Sequence, residues 1–345
     1  MSQTAPRELY DLPPVDWEGW GSRFLFFTGK GGVGKTTIAS ATALRMAEAG
    51  RRVLVVSTDP ASNLDDVFGT EAGAEPAEVP GVPGLSLMNL DPEATAAYRD
   101  RVVGPYRGVL PEESVRSMEE QLSGACTVEI AAFDEFTGLL ADPDFVGRFD
   151  HIVFDTAPPG HTLRLLCLPS AWSGYIETNP EGASCLGTLA GLEAQRERYV
   201  ATVEALADAG RTTVVLVSRP EESALWEAAR AGGELAELGI RNQRLVLNGV
   251  FAGDESGDPV AGALARRQRE AWKGLPGSLR GVPAAAVPLV AGELTGLDAL
   301  RALAGPEGGT PMTARPGCRR GSPPGTSRGS RTSSGSWMRP ATASS

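Results

Sequence analysis

The amino-acid sequence predicts an α/β fold in which a mostly parallel sheet is flanked by helices, and three observations predict it. Short, near-continuous apolar runs alternate along the chain with segments of helical spacing, the pattern of strands buried between helices. The first run, Phe24 to Phe27, leads into GKGGVGKTT at residues 29–37, a glycine-rich phosphate-binding loop followed by a helical pattern. Two further runs stop at an aspartate, Asp59 in STDPASNL and Asp155 in FDTAPPGHTLRLL, and parallel sheets gather their ligands at that carboxyl edge.

Taken in order, the strands are expected at Phe24 to Thr28, Val53 to Thr58, His151 to Asp155, Thr213 to Ser218, Leu245 to Asn248 and Ala284 to Val287. The helix after the first strand starts at Lys35. Its apolar residues Ile38, Ala41, Leu44 and Ala47 recur at helical spacing, and Gly50 stops it. Between about Val102 and Leu140, and again from Trp172 to Leu206, helix and loop patterns interrupt the alternation, which places a helical subdomain within residues 102–206. Its charged run of Glu112, Glu113, Arg116, Glu119 and Glu120 reads as solvated helix surface. From residue 305 to 345 Gly, Pro, Ser and Thr supply 27 positions and Glu307 is the only acid, too little apolar surface to order the segment. Its abrupt onset also resembles out-of-frame translation of a GC-rich gene.

Each residue of the loop has a physical reason. Gly29, Gly31, Gly32 and Gly34 let the backbone curl around Val33 with its N–H groups inward, and the following helix directs its positive end at a phosphate. Lys35 is placed to reach the β- and γ-phosphates, and the Thr36 hydroxyl, with Thr37 beside it, to ligate Mg²⁺. The fold expectation sharpens to a P-loop NTPase-type sheet. Basic residues elsewhere are arginine almost throughout, 29 Arg against Lys30, Lys35 and Lys273, so a lysine pair in the loop runs against the chain's own bias.

Composition excludes other classes. A formal net charge of −11 disfavours sequence-independent nucleic-acid binding, and no nucleic-acid partner is expected. No run approaches the ~20 apolar residues of a membrane span, and the start MSQTAPRELYDLPP lacks the features of a signal peptide, so a cytoplasmic location is expected. Four cysteines without a CxxC pair fit reduced thiols.

An isolated aspartate more often caps a turn than binds metal. Asp59 and Asp155, however, are expected to share one sheet edge with the loop, where a carboxylate can hold a metal-bound water or orient the attacking one. Cys126 in LSGACTVEI, Cys185 in NPEGASCLG and His161 offer two thiolates and an imidazole to a soft ion. Spacing alone leaves them open to the blander reading of buried small hydrophobes, which Cys167 keeps.

Together the segments GKGGVGKTT, STDPASNL, QLSGACTVEIAAFDEFTGLL, FDTAPPGHTLRLL, NPEGASCLGTLAGLE and VLNGV resemble the arsenical pump-driving ATPases of the ArsA family, over approximately residues 22–304. Residues 1–21 then form an N-terminal extension and 305–345 a tail. The resemblance implies that residues 29–37 bind ATP, that Lys35 is the loop lysine, and that Lys30 is the signature lysine of the deviant Walker A group, reaching the phosphates of a partner half. It implies Thr36 and Asp59 at Mg²⁺ and water, Asp155 opening the second switch, Asn248 near the adenine, and Cys126, His161 and Cys185 at an arsenite or antimonite site. It also implies a membrane arsenite pump subunit as partner, an arsenic metallochaperone as a donor, and stimulation of hydrolysis by metalloid.

Two features depart from that pattern. Family members commonly carry two homologous halves in one chain, whereas a single KGGVGKT occurs here. Two copies therefore pair as a homodimer, or this chain is a first half. Pro159 stands in DTAPPGH where threonine is usual, which stiffens the segment and removes a donor. The competing readings are a tail-anchored membrane-protein targeting ATPase, which calls for a methionine-rich groove, and a partitioning ATPase, which calls for a DNA-binding surface or an amphipathic membrane helix. An iron protein with a bridging cluster would be coloured. Six methionines and the cysteine surroundings favour the metalloid reading.

Overall fold

The computed structural model describes residues 8–58, 64–90, 135–156, 189–251, 258–292 and 294–305, with 104, 107, 112 and 116. Its strands are β1 (Phe24–Thr28), β2 (Val53–Ser57), β3 (Ala77–Glu78), β4 (Leu85–Asn89), β5 (His151–Asp155), β6 (Thr212–Ser218), β7 (Gln243–Val250) and β8 (Ala284–Pro288). Among the described residues they form one sheet in the order β3-β4-β2-β5-β1-β6-β7-β8. Every pairing is parallel except that of β3 with β4. The expected six strands are all present within two residues of their expected ends. The pair β3 and β4 is additional: β3 has two residues, too few for a periodic signal, and β4 (LSLMN) lies in a Gly- and Pro-rich stretch.

The helices are α1 (Lys35–Glu48), α2 (Leu64–Phe68), α3 (Pro143–Val146), α4 (Leu189–Ala207), α5 (Glu222–Glu237), α6 (Pro259–Lys273) and α7 (Leu297–Ala304), and residues 135–141 are also helical. Local chemistry sets several ends. Asp142 and Asp258 cap α3 and α6 by accepting backbone N–H bonds, each followed by a proline at the first helical position. Gly50, at φ 85°, turns the chain away after α1.

Alternation along the strands separates two cores. Phe24, Phe26, Leu54, Val56, Ile152, Phe154, Val214 and Leu216 pack on one side, under α5 and the helical residues 135–141. Leu25, Phe27, Val53, Val55, Val153, Val215 and Val217 pack on the other, under α1, α2 and α7. Phe26 and Phe154 are register partners, and their rings stack at 4.4 Å with Phe136 edge-on to Phe154. Helix α1 buries ten of its 14 residues because Ala39, Ala41, Ala43 and Ala47 let it lie close to the sheet.

Of the expected helical subdomain, α4, residues 135–141 and α3 are described around β5, while residues 117–134 and 157–188 lie outside the described residues. No helix among the described residues is long and apolar enough to cross a membrane.

Candidate functional site

Parallel pairing brings the ends of three strands into one row. Phe27 of β1 is the register partner of Asp155 of β5, and Asp155 in turn pairs with Ser57 of β2. The chain leaves β1 through Gly29, so the glycine-rich loop and Asp155 lie at the same carboxyl edge of the sheet. Asp155 is buried, at 2% exposure, and its backbone carbonyl accepts from Thr58 N–H at 3.0 Å. Thr156 fastens the same strand end to β1, its hydroxyl donating to the Phe27 carbonyl at 2.7 Å. Asp59, Cys126, Pro159, His161 and Cys185 lie outside the described residues.

The loop has the backbone that its glycines permit. Gly29, Gly32 and Gly34 have φ of 154°, 77° and 91°. A Cβ at Gly29 would run into the Val217 carbonyl of β6, so the chain passes the neighbouring strand closer than any side chain allows. Gly31 and Gly32 are exposed, and a Cβ on either meets nothing. The loop thus presses one side against the sheet and turns the other outward.

Helix α1 starts at Lys35 with no side-chain cap, Gly34 occupying the cap position in a left-handed conformation. Its first bond runs from Ile38 N–H to the Gly34 carbonyl at 3.0 Å, and the N–H groups of the first turn reach no intrahelical acceptor. Buried Thr28 and Thr58 hydroxyls at this edge lack hydrogen-bond partners among the described residues. An uncapped helix start, a glycine cradle and unmatched hydroxyls fit a phosphate group. Thr36 and Thr37, half-buried on the first turn of α1, offer hydroxyls suited to a hard cation such as Mg²⁺.

The lysine pair divides. Lys35 is buried and its Nζ lies 3.5 Å from the Lys30 carbonyl, inside the loop. Lys30 is exposed and its ammonium donates to the Ser223 hydroxyl at 3.0 Å, on the first turn of α5.

Asn248 lies near the end of β7, where a bulge at Gly249 (φ 77°) shifts the register against β8. Its side-chain amide donates to the Val33 carbonyl at 2.8 Å and lies where a Cβ on Gly34 would fall. This contact makes Asn248 a brace of the loop itself. Sequence reasoning also missed Ser223 and Thr156. Ser223 follows the β6 end in SRPEES, 193 residues from Lys30, and only the pairing of β6 with β1 makes them neighbours.

Comparison with known proteins matches residues 22–306 to the model of the anion-transporting ATPase family. The chain is 54% identical over 297 residues to an arsenical pump-driving ATPase of Escherichia coli, covering 86% of this chain and 49% of that protein. It is 56% identical to the arsenical pump-driving ATPase of Acidiphilium multivorum, again across 86% and 49% of the two chains. A more distant relative is the ATPase get3 of Neurospora crassa, 33% identical across 72% of this chain and 78% of that protein. The chain spans about half the length of the arsenical pump-driving relatives it matches.

Proposed function

The chain belongs to the anion-transporting ATPase family, and from that premise we propose that it is one Mg²⁺-dependent ATP-hydrolysing half of a motor that drives arsenite or antimonite export. The observation that carries the nucleotide reading is the loop between β1 and α1, held against β6 at Gly29 and braced by Asn248, with Asp155 in the adjoining strand end. Residues 29–37 would cradle the phosphates of ATP, with Lys35 at the β- and γ-phosphates. Thr36 and Asp59 would hold Mg²⁺, which supplies charge neutralisation at the terminal phosphate when bound. Asp155 would orient the attacking water or its metal-bound neighbour. Lys30 would serve the phosphates of a second half, which explains an ammonium that points away from its own loop.

The names of the relatives support an arsenical as the pumped species. A soft metalloid, arsenite or antimonite, suits the two thiols and imidazole that Cys126, Cys185 and His161 would supply within the proposed helical subdomain at 102–206. Coverage of half of those relatives supports pairing with a second half or a second copy. The proposed partner is a membrane pump subunit, met at the cytoplasmic face, with an arsenic metallochaperone as supplier.

ATP hydrolysis measured with and without arsenite and antimonite, on protein whose mass in solution is determined with nucleotide, tests this. Stimulation by metalloid in a paired species is expected, and the double variant Cys126→Ser with Cys185→Ser should show no stimulation. Equal stimulation in that variant removes the metalloid assignment, and a monomer with no metalloid response removes the motor reading.

A further inference from the structure

We propose that Ser223 is a positioning residue that latches the Lys30 ammonium outside the phosphate cradle until nucleotide draws it away. The proposal rests on the reading of residues 29–37 as an ATP loop and on none of the metalloid chemistry.

The two loop lysines make different contacts although five positions separate them. Lys35 stays within the loop against the Lys30 carbonyl, while Lys30 reaches out to Ser223 on α5. Its perch is electrostatically mixed, with the acidic Glu222 beside Ser223 on the first turn of α5. Ser223 is the second residue of α5, a helix of 16 residues whose N-cap Glu221 makes no side-chain cap bond, so the ammonium sits at the positive end of the helix dipole. Glu227, one turn further along, offers partial compensation. Its carboxylate is held below its ordinary range chiefly by the hydrogen bond from Arg230, at 2.6 Å, and to a lesser degree by the charge of Lys30. Glu227 is thus committed first to Arg230. The short-range partner left to Lys30 is a neutral, exposed hydroxyl.

A contact of this kind is weak and reversible, and the polyphosphate held by a facing second half, which the proposed function assigns to Lys30, competes with it directly. Release of Lys30 is then part of nucleotide engagement, and Ser223 sets its cost. The position of α5 follows from β6, which pairs with β1, so movement of the α5 start is transmitted to Lys30 through one hydrogen bond.

The chain has only three lysines, so spectra of full-length protein carrying ¹³Cε-lysine resolve Lys30 from Lys35 and Lys273. Without nucleotide, Ser223→Ala should move the Lys30 resonance and leave Lys273 in place. In the absence of metalloid, Ser223→Ala should lower the KM for ATP about three-fold, the size expected for loss of one competing hydrogen bond, with the larger part of the effect in KM rather than kcat. Ser223→Thr, which retains the hydroxyl, should shift KM less, and in a Lys30→Gln background the Ser223→Ala effect should vanish. An unmoved Lys30 resonance, an unchanged or raised KM, or the same shift in the Lys30→Gln background overturns the latch. If Lys35→Ala abolishes ATP binding while Ser223→Ala is silent, the latch alone falls; if the wild-type chain binds no ATP, the loop reading falls with it.

Discussion

The side-chain amide of Asn248 donates to the backbone carbonyl of Val33 at 2.8 Å, joining the end of β7 to the phosphate loop across 215 positions of sequence. The bond is buried, and it fixes the loop two residues before Lys35, the uncapped start of α1.

Replacing Asn248 by alanine should therefore act on the loop before it acts on the fold. Loss of one buried hydrogen bond costs about 1 kcal/mol of stability. Because the loop carbonyl is then unmatched and the cradle loosens, ATP affinity should fall roughly ten-fold, corresponding to about 1.4 kcal/mol. Titration calorimetry with ATP beside a thermal melt separates the two. A variant that melts lower but binds ATP as the wild type does would show that Asn248 braces the sheet end only.

The four loop glycines should differ in their tolerance of alanine. At Gly29 the added carbon meets the Val217 carbonyl, a backbone atom that cannot rotate aside, so Gly29→Ala should destabilise by about 1–3 kcal/mol. At Gly31 nothing lies within 4 Å of the added carbon and φ is not positive, so Gly31→Ala should melt within error of the wild type. Chemical denaturation of both variants checks the contrast.

Stability should decline as pH falls below neutrality, through His151 at the amino end of β5. The ring is buried, its Nδ1–H donates to the Ser22 carbonyl at 2.9 Å, and its Nε2 accepts from Arg51 at 3.1 Å. Burial, with the nearby charges of Arg51 and Arg23, holds its pKa below the ordinary 6.5 against the smaller opposing pull of the Ser22 bond and Asp150. The unfolded chain then binds the proton more readily than the folded one, so this contribution is full above pH 6.5 and is lost as the pH drops below that value. Asp150 follows at lower pH. Its hydrogen bonds to the Arg52 side chain and backbone lower it to about 2, so its contribution is present above 3.8 and disappears as the pH falls toward 2. The carboxylate is 39% exposed, which limits the pair to the modest worth of a solvent-screened ion pair. Urea midpoints from pH 5 to 8 should slope in the wild type and flatten in His151→Phe; equal slopes would reassign the pH dependence to another group.

The stacked pair Phe26 and Phe154 links the core to the site, because each lies in the strand that carries a site element past its end. Phe154→Ala should cost about 3–5 kcal/mol through the cavity it leaves. Phe154→Leu should cost less and retain ATP binding. Parallel loss of binding in both variants, with stability preserved in the leucine form, would place the ring in direct control of Asp155.

Much of this architecture was legible in the residues. Five-residue apolar runs such as FLFFT and HIVFD are buried at every position, and a strand covered on both faces leaves an uninterrupted hydrophobic signature. The β3 and β4 edge was not legible, since two-residue β3 carries no period and β4 is held mainly by its pairing with β2.

By itself the sequence determined the local chemistry of the loop: where glycine must stand, where α1 begins, and which lysine opens that helix. Those properties depend on φ, on helix ends and on residue spacing, all set within a few residues. Tertiary structure alone decided which distant groups meet that loop. The strand order β2-β5-β1-β6-β7 puts Asp155 beside β1, Ser223 under the Lys30 ammonium and Asn248 on the Val33 carbonyl. Such meetings arise from crossover connections between parallel strands, which bring together residues that no sequence window contains.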